Sequence, residues 1–309
     1  MTEHKRLNPT VSVIIPAYNH EQFIGAAIDS VLAQTCDDFE LIIVNDGSTD
    51  RTEEVIRSYD DPRIRYYSQE NQDAFNTINR GMSLAKGRFL SILNSDDIYS
   101  LDRLEKILSF QKEHSSECVI TDVVPISDRG EEFDDPQFGW NQWHQKNRRA
   151  FRDADDIYTA FLHGNFMVTT SNLFISRKAA LQVGEFCSLR YLHDYDYIFR
   201  IMLHFPEAVH YMENDRLLYY RIHGGNTLGE AAIIGREQDQ ELIAKYMLKK
   251  IPVEYRAVVE AGAARLVELG CELHEVKMGL ADAAPQGVVP AFKGFVKSLV
   301  RWLKKKASV

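Results

Sequence analysis

Three apolar runs, each cut off by a polar cluster, constrain this chain more than any other feature. Val11-Ser12-Val13-Ile14-Ile15-Pro16 passes into Ala17-Tyr18-Asn19-His20, and Phe39-Glu40-Leu41-Ile42-Ile43-Val44 ends in Asn45-Asp46-Gly47-Ser48. Phe89-Leu90-Ser91-Ile92-Leu93 ends in Asn94-Ser95-Asp96-Asp97. Runs this short and this rich in β-branched residues read as buried strands. Between them, residues 21–35 carry Phe23, Ile24, Ala27, Ile28, Val31 and Leu32 at helical spacing, and further helices are expected over 51–58 and 73–85, the last closed by Lys86-Gly87. Strands alternating with helices at this interval predict an α/β fold with a mostly parallel central sheet flanked by helices. In such a sheet the carboxyl ends of successive strands share one edge, which is where ligands bind.

Further along, 64–67 reads as a strand, 102–114 as a helix and 118–122 as a strand. The texture changes after Ile126. Residues 128–151 are polar and irregular, with Trp140, Trp143, His144, Arg148 and Arg149 interleaved, and read as a long loop of the kind that is usually functional. Helices over 153–163 and 177–183 flank a strand over 171–175. Residues 195–205 form a helix preceded by His193-Asp194, and 209–211 with 217–223 read as a closing hairpin. Residues 228–270 are helical in pattern, and 281–289 form a Pro/Gly linker.

Composition narrows the class. With 45% hydrophobic and 26% charged residues among 309, this is an ordinary globular chain. Its four cysteines form no Cys-x-x-Cys, so a reducing cytoplasm is the expected compartment. The net charge of −9 argues against nucleic acid as a partner. The last 21 residues depart from that balance, with Lys293, Lys297, Arg301, Lys304, Lys305 and Lys306 and no acid. Phe292, Phe295, Val296, Leu299, Trp302 and Leu303 make one apolar stripe on the same stretch. Residues 290–306 thus read as a basic amphipathic helix, either lying peripherally on an anionic membrane's inner face or packed back on the acidic body.

The polar clusters hold the candidate chemistry. Asp96 and Asp97 repel one another unless a cation or proton is shared, and hard oxygen ligands suit Mg²⁺ or Mn²⁺. Asn-Ser-Asp-Asp is equally good turn chemistry. Neither Gly-x-Gly-x-x-Gly nor Gly-x-x-x-x-Gly-Lys-Ser/Thr follows the first strand, so a bound phosphate would need neutralising by a metal. Asp46 suits a base or ribose edge as an acceptor. Taken by themselves, Asp194 reads as a helix cap and His223 as a structural histidine at a strand end. Trp140, Trp143 and residues 165–171 are candidates for an acceptor side, since aromatic faces suit sugar rings, although ordinary core tryptophans fit as well.

Taken in order, "VSVIIPAYN", "FELIIVNDGSTD", "NRGMSLAKG", "LNSDD", "LHDYDYIFR" and "YRIHGGNT" resemble the inverting nucleotide-sugar glycosyltransferases of family two. The resemblance covers roughly residues 9–227 and implies a GT-A (Rossmann-like) fold. It implies a glycosyltransferase domain over 1–227, with a donor half over about 9–125 and an acceptor half over about 126–227, then a helical extension over 228–309. It implies that Pro16, Tyr18, Asn19, Asp46, Asn94 and Ser95 bind the donor nucleotide, UDP foremost. Asp96 falls on the metal position, with His223 as a further ligand, and Arg221 and His223 fall on the diphosphate-binding positions. Asp194 falls on the general base. Asn94 stands where the family has the first Asp of Asp-x-Asp, and His193 where it has the first of two acids. Those departures leave a catalytically degenerate nucleotide-sugar-binding module as the alternative. The acceptor implied is a saccharide or lipid-linked saccharide, in surface polysaccharide or glycolipid synthesis.

Overall fold

The computed structural model describes residues 8–189, 192–224 and 241–262, with 264, 265, 269 and 272. The chain divides into two compact units, Met1–Tyr246 and Met247–Val309. The first is built on one eight-stranded sheet. In chain order its strands are β1 (Val11–Ala17), β2 (Phe39–Asn45), β3 (Ile64–Ser68), β4 (Phe89–Ile92), β5 (Ile98–Tyr99), β6 (Cys118–Ile126), β7 (Phe174–Ser176) and β8 (Val209–Arg221). Their spatial order is β3-β2-β1-β4-β7-β6-β8-β5. β3, β2, β1 and β4 are mutually parallel, β7 runs antiparallel between β4 and β6, and β6 pairs parallel with β8. The parallel half thus sends β1, β2 and β4 out at one edge, as the sequence predicts.

Strand alternation sorts the core into two layers. Val13, Ile15, Leu41 and Ile43 pack with Ile24, Ala27, Ile28 and Val31 of helix α1 (Ile24–Leu32). Ile14, Ile42, Val44 and Ile92 belong to the opposite layer, which includes Ile78 of α3 (Ala74–Leu84). Burying each such side chain contributes about 1.5–3 kcal/mol. Between these helices lies the short α2 (Thr52–Arg57). Helix α3 passes so close to β1 that a Cβ on Gly81 would sit 2.3 Å from Ile14 Cγ2. Helix α4 is Arg103–His114.

Four segments differ from the sequence-based expectation. The expected loop of 128–151 contains helix α5 (Gly139–Asp153). Its inward face is largely polar, with His144 and Asn147 buried, so no apolar periodicity marks it. That face is held by Asp122 of β6, which accepts His144 Nε2 at 2.7 Å and pairs with Arg148 Nη1 at 3.1 Å. The expected hairpin of 209–223 is instead one long strand, β8. Where β6 advances from Thr121 to Asp122, β8 advances from Met212 to Arg216, and from Asp122 to Val123 it skips Leu217, so Glu213-Asn214-Asp215 and then Leu217 bulge out before the ladder resumes through Arg221. Beyond α6 (Ile157–His163) the chain enters a 3₁₀ turn at Thr170–Asn172, and β7 begins only at Phe174. After α7 (Arg177–Val183), helix α8 (His193–His204) starts early enough to include Asp194 in its first turn.

Residues 241–249 and 253–262 are helical. The basic stretch 290–306 and the Pro/Gly linker of 281–289 lie outside the described residues. Among the described residues no helix is long and apolar enough to cross a membrane.

Candidate functional site

The site is built where β1, β2 and β4 end. After β1, Asn19 takes a left-handed φ of 50°, a conformation Asn tolerates better than most residues. Its Oδ1 accepts Thr49 N at 2.8 Å, and its own N–H donates to Ser48 Oγ at 3.0 Å, which staples the first two loops together. Pro16 lies in β1 opposite Val44, and Tyr18 projects with 46% of its surface exposed. After β2, Gly47 adopts φ +72°, and a Cβ there would sit 3.0 Å from Asn71 N. The turn therefore needs glycine to pass beneath residues 69–72. Those residues close over the buried Asp46, whose Oδ1 accepts Gln69 Nε2 at 2.6 Å and Gln72 N at 3.0 Å.

After β4, Asp97 N donates to Asn94 O at 3.1 Å, closing a turn over Asn94–Asp97. The turn reading of this stretch is what the structure shows, and the turn separates the two carboxylates. Asp97 is held inward, accepting Ser171 Oγ at 2.5 Å and Arg221 N at 2.9 Å. Burial, together with the neighbouring Asp96 charge, pushes its pKa well above the carboxylate range. Asp96 faces the other way, with Oδ2 3.1 Å from His223 Nε2. Burial opposes its ionisation, but the His223 hydrogen bond and the nearby His20 and His223 imidazoles outweigh that and hold its pKa below the usual value. The two carboxylates are thus pushed in opposite directions, Asp97 toward its protonated form and Asp96 toward its charged one.

His20, Asp96 and His223 bring one ligand atom each within 4.8 Å of one another. Ser95 Oγ lies 2.7 Å from His20 Nδ1 and fixes that ring, and burial lowers the His20 pKa, favouring the neutral form a metal requires. Two imidazoles and a carboxylate are a donor set that fits a divalent transition ion. The Arg221 guanidinium donates to the carbonyls of Asp96, Ser127 and Asp128, which braces the turn from behind.

Asp194 is 8% exposed, and its Oδ1 accepts the Tyr195 N–H at 2.7 Å. It is not the helix cap, a position held by Leu192. Its neighbour His193 reaches Thr170 Oγ1 at 3.2 Å and Leu189 O at 3.1 Å. Three consecutive hydroxyls therefore join the site: Thr169 Oγ1 receives Asn94 Nδ2 at 3.0 Å, Thr170 holds His193, and Ser171 holds Asp97. Val168, just before them, has φ 73°, unfavourable for a β-branched side chain.

The structure thus gathers Asn94, Ser95, Asp96, Arg221 and His223 at one corner, with Asp46 and Asn19 in the neighbouring loops. Sequence reasoning missed His20 as a partner of that corner, although it directly follows Asn19. It also missed the roles of Gln69, Gln72 and Thr169 to Ser171, for which the only signal was a run of hydroxyl residues ahead of a strand.

A family model described as Glycosyl transferase family 2 matches residues 12–177. A glycosyltransferase of Rickettsia typhi is 30% identical over 250 residues, covering 79% of this chain and 73% of that protein. The chondroitin synthase of Pasteurella multocida is 32% identical over 223 residues, 71% of this chain but only 21% of that protein. Among solved structures, S. aureus TarS in complex with UDP-GlcNAc superposes with TM-score 0.61 at 18% identity, over 80% of this chain and 69% of TarS. The mannosyltransferase PcManGT of Pyrobaculum calidifontis, in complex with GDP-Man and Mn²⁺, superposes with TM-score 0.61 at 17% identity, over 96% of this chain and 81% of that one. At these identities the two structures establish the shared GT-A fold.

Proposed function

The chain belongs to glycosyl transferase family 2 and is an enzyme that transfers sugars, and we propose that it does so from a nucleoside-diphosphate sugar, UDP foremost, with inversion and with a divalent metal. The observation that carries this is the convergence of His20, Asp96 and His223 beside the buried Asp46, at the edge where parallel strands end. Pro16, Tyr18, Asn19 and Asp46 form the nucleotide wall, and Asn94 and Ser95 support the ribose side. Asp46 has both of its protein donors on Oδ1, which supports a role for Oδ2 in accepting from the donor nucleotide. His20, Asp96 and His223 hold the ion. The donor complexes of TarS and PcManGT support the substrate class, and the Mn²⁺ of the latter supports the metal.

A metal held there supplies positive charge to the departing diphosphate. Asp194 accepts the proton of the acceptor hydroxyl as its oxygen bonds to the anomeric carbon, while the bond from that carbon to the diphosphate breaks. Attack from the face opposite the leaving group inverts the centre. A single carboxylate suffices because the leaving group is already good. Asp194→Asn is expected to lower turnover by roughly 10²–10⁴-fold, typical of a lost general base, with nucleotide affinity retained. Near-normal turnover in that variant removes Asp194 from the role.

The acceptor in this reading is a saccharide or lipid-linked saccharide of surface polysaccharide or glycolipid synthesis, handled in the cytoplasm. The stretch 290–306 would rest on the inner face of the membrane. Deleting 290–309 should then abolish binding to anionic vesicles, and unchanged binding would refute that attachment.

A further inference from the structure

Residues 168–171 join two parts of the site that are distant in the chain. Thr169 Oγ1 accepts from Asn94 Nδ2 at 3.0 Å. Ser171 Oγ accepts from Asn94 N at 2.8 Å and donates to Asp97 Oδ2 at 2.5 Å. Thr170, between them, turns instead to α8, with Oγ1 3.2 Å from His193 Nε2. His193 Nδ1 lies 3.1 Å from Leu189 O. A carbonyl can only accept, so Nδ1 carries a proton and Nε2 of the neutral ring takes the Thr170 hydroxyl. Three consecutive hydroxyls thus tie the Asn94–Asp97 turn to the first turn of α8, which carries Asp194.

The backbone that presents these hydroxyls is strained. Thr169 N donates back to Met167 O at 2.9 Å, closing a three-residue turn centred on Val168 at φ 73°. A γ-turn with its central φ in this region is rare and strained, and a β-branched residue is an outlier there. Such a conformation persists only where its surroundings over-determine it. Here Asn165 Oδ1 accepts Val168 N at 3.3 Å, and Asn172 Nδ2 donates to Met167 O at 3.0 Å and Thr121 O at 2.7 Å. Asn172 is fixed in turn by Arg103, fully buried at the start of α4. Its Nη2 donates to Asn172 O at 3.2 Å and its Nη1 to Thr121 Oγ1 at 2.8 Å.

We infer that Val168 to Ser171 form a strained strap that fixes the metal corner relative to the first turn of α8, with Thr170 a positioning residue that acts on Asp194 through His193. The inference rests on the glycosyltransferase reading, which gives Asp96 and Asp194 their roles. The test uses the full chain, followed by urea unfolding, by Mn²⁺ titration with EPR, and by nucleoside diphosphate release from UDP-GlcNAc, UDP-glucose and GDP-mannose. Alanine ordinarily outperforms glycine because glycine's unfolded chain is freer, but only glycine takes a positive φ without strain. Val168→Gly is therefore expected to unfold at a higher urea concentration than Val168→Ala, the reverse of the usual order. It should nonetheless bind Mn²⁺ severalfold more weakly than Val168→Ala, because the partners of Asn94 and Asp97 are no longer held in place. Thr170→Val should keep the wild-type Mn²⁺ affinity yet lower turnover by roughly 10–10²-fold, the scale of a small misplacement of a reacting group. Thr170→Ser, which retains the hydroxyl, should restore most of that loss. A Val168→Gly variant no more stable than Val168→Ala, or one that binds Mn²⁺ as tightly, overturns the strap. Undiminished turnover in Thr170→Val removes Thr170 from its role. A wild type that binds no Mn²⁺, or releases nothing from any of the three donors, counts against the donor reading instead, while the order of the two Val168 variants in urea still decides the strap.

Discussion

Asp196 sits two residues beyond Asp194 on α8 and is 1% exposed. Four donors converge on its carboxylate: Tyr246 Oη at 2.6 Å, Arg200 Nε at 2.8 Å, Lys245 Nζ at 2.9 Å and Cys187 Sγ at 3.2 Å. Burial alone would raise its pKa, but these hydrogen bonds, led by that of Tyr246, lower it from 3.8 to about 2. A folded-state pKa below the unfolded one means that ionised Asp196 stabilises the fold above the unfolded value and loses that contribution as pH falls through the folded one. The shift corresponds to about 2.4 kcal/mol at pH 7, of which roughly half remains at pH 3. Asp196→Asn removes the charge and leaves buried donors badly matched, so a loss of about 2–4 kcal/mol is expected at pH 7. Urea denaturation of both proteins from pH 7 down to pH 3 measures it. The gap between them should narrow by about 1 kcal/mol over that range, because only the wild type has the carboxylate to protonate. Parallel curves with a constant gap would refute the claim that the paired carboxylate, rather than packing at this position, holds α8.

Two further expectations follow from the site and the core. Because two imidazoles and one carboxylate form the cluster, Mn²⁺ should bind more tightly than Mg²⁺, and His20→Ala should lower Mn²⁺ affinity at least about tenfold by titration monitored with EPR. An unaltered Mn²⁺ affinity in that variant would exclude His20 from the ligand set. Gly81→Ala should destabilise the fold by about 1–3 kcal/mol despite alanine's better helix propensity, since its Cβ would lie 2.3 Å from Ile14 Cγ2. Combining it with Ile14→Ala should recover part of the loss, and strict additivity in that double-mutant cycle would show that the close approach is relieved elsewhere.

The sequence by itself determined the parallel half of the sheet and the edge at which its polar clusters meet. Fully buried strands such as β1 and β2 advertise themselves through unbroken β-branched runs, and parallel strands must share a direction, so Asn19, Asp46 and Asn94 were bound to come out together. Tertiary structure alone decided what those residues do to one another. Asp96 and Asp97 are neighbours of the same type, yet one is turned toward two histidines while the other is buried against Ser171 Oγ and the Arg221 N–H. That division depends on β8 and the Thr169–Ser171 hydroxyls, more than 70 residues away in the chain. Helix α5 was hidden for a related reason, since its inward side chains His144, Asn147 and Arg148 are polar, and only distant partners, Asp122, Asn165 O and Glu213 O, make burying them favourable. Strand β8 was split in the sequence by Glu213-Asn214-Asp215, which read as a turn. The continuous ladder to β6 on either side turned that signal into a bulge and carried His223 to Asp96.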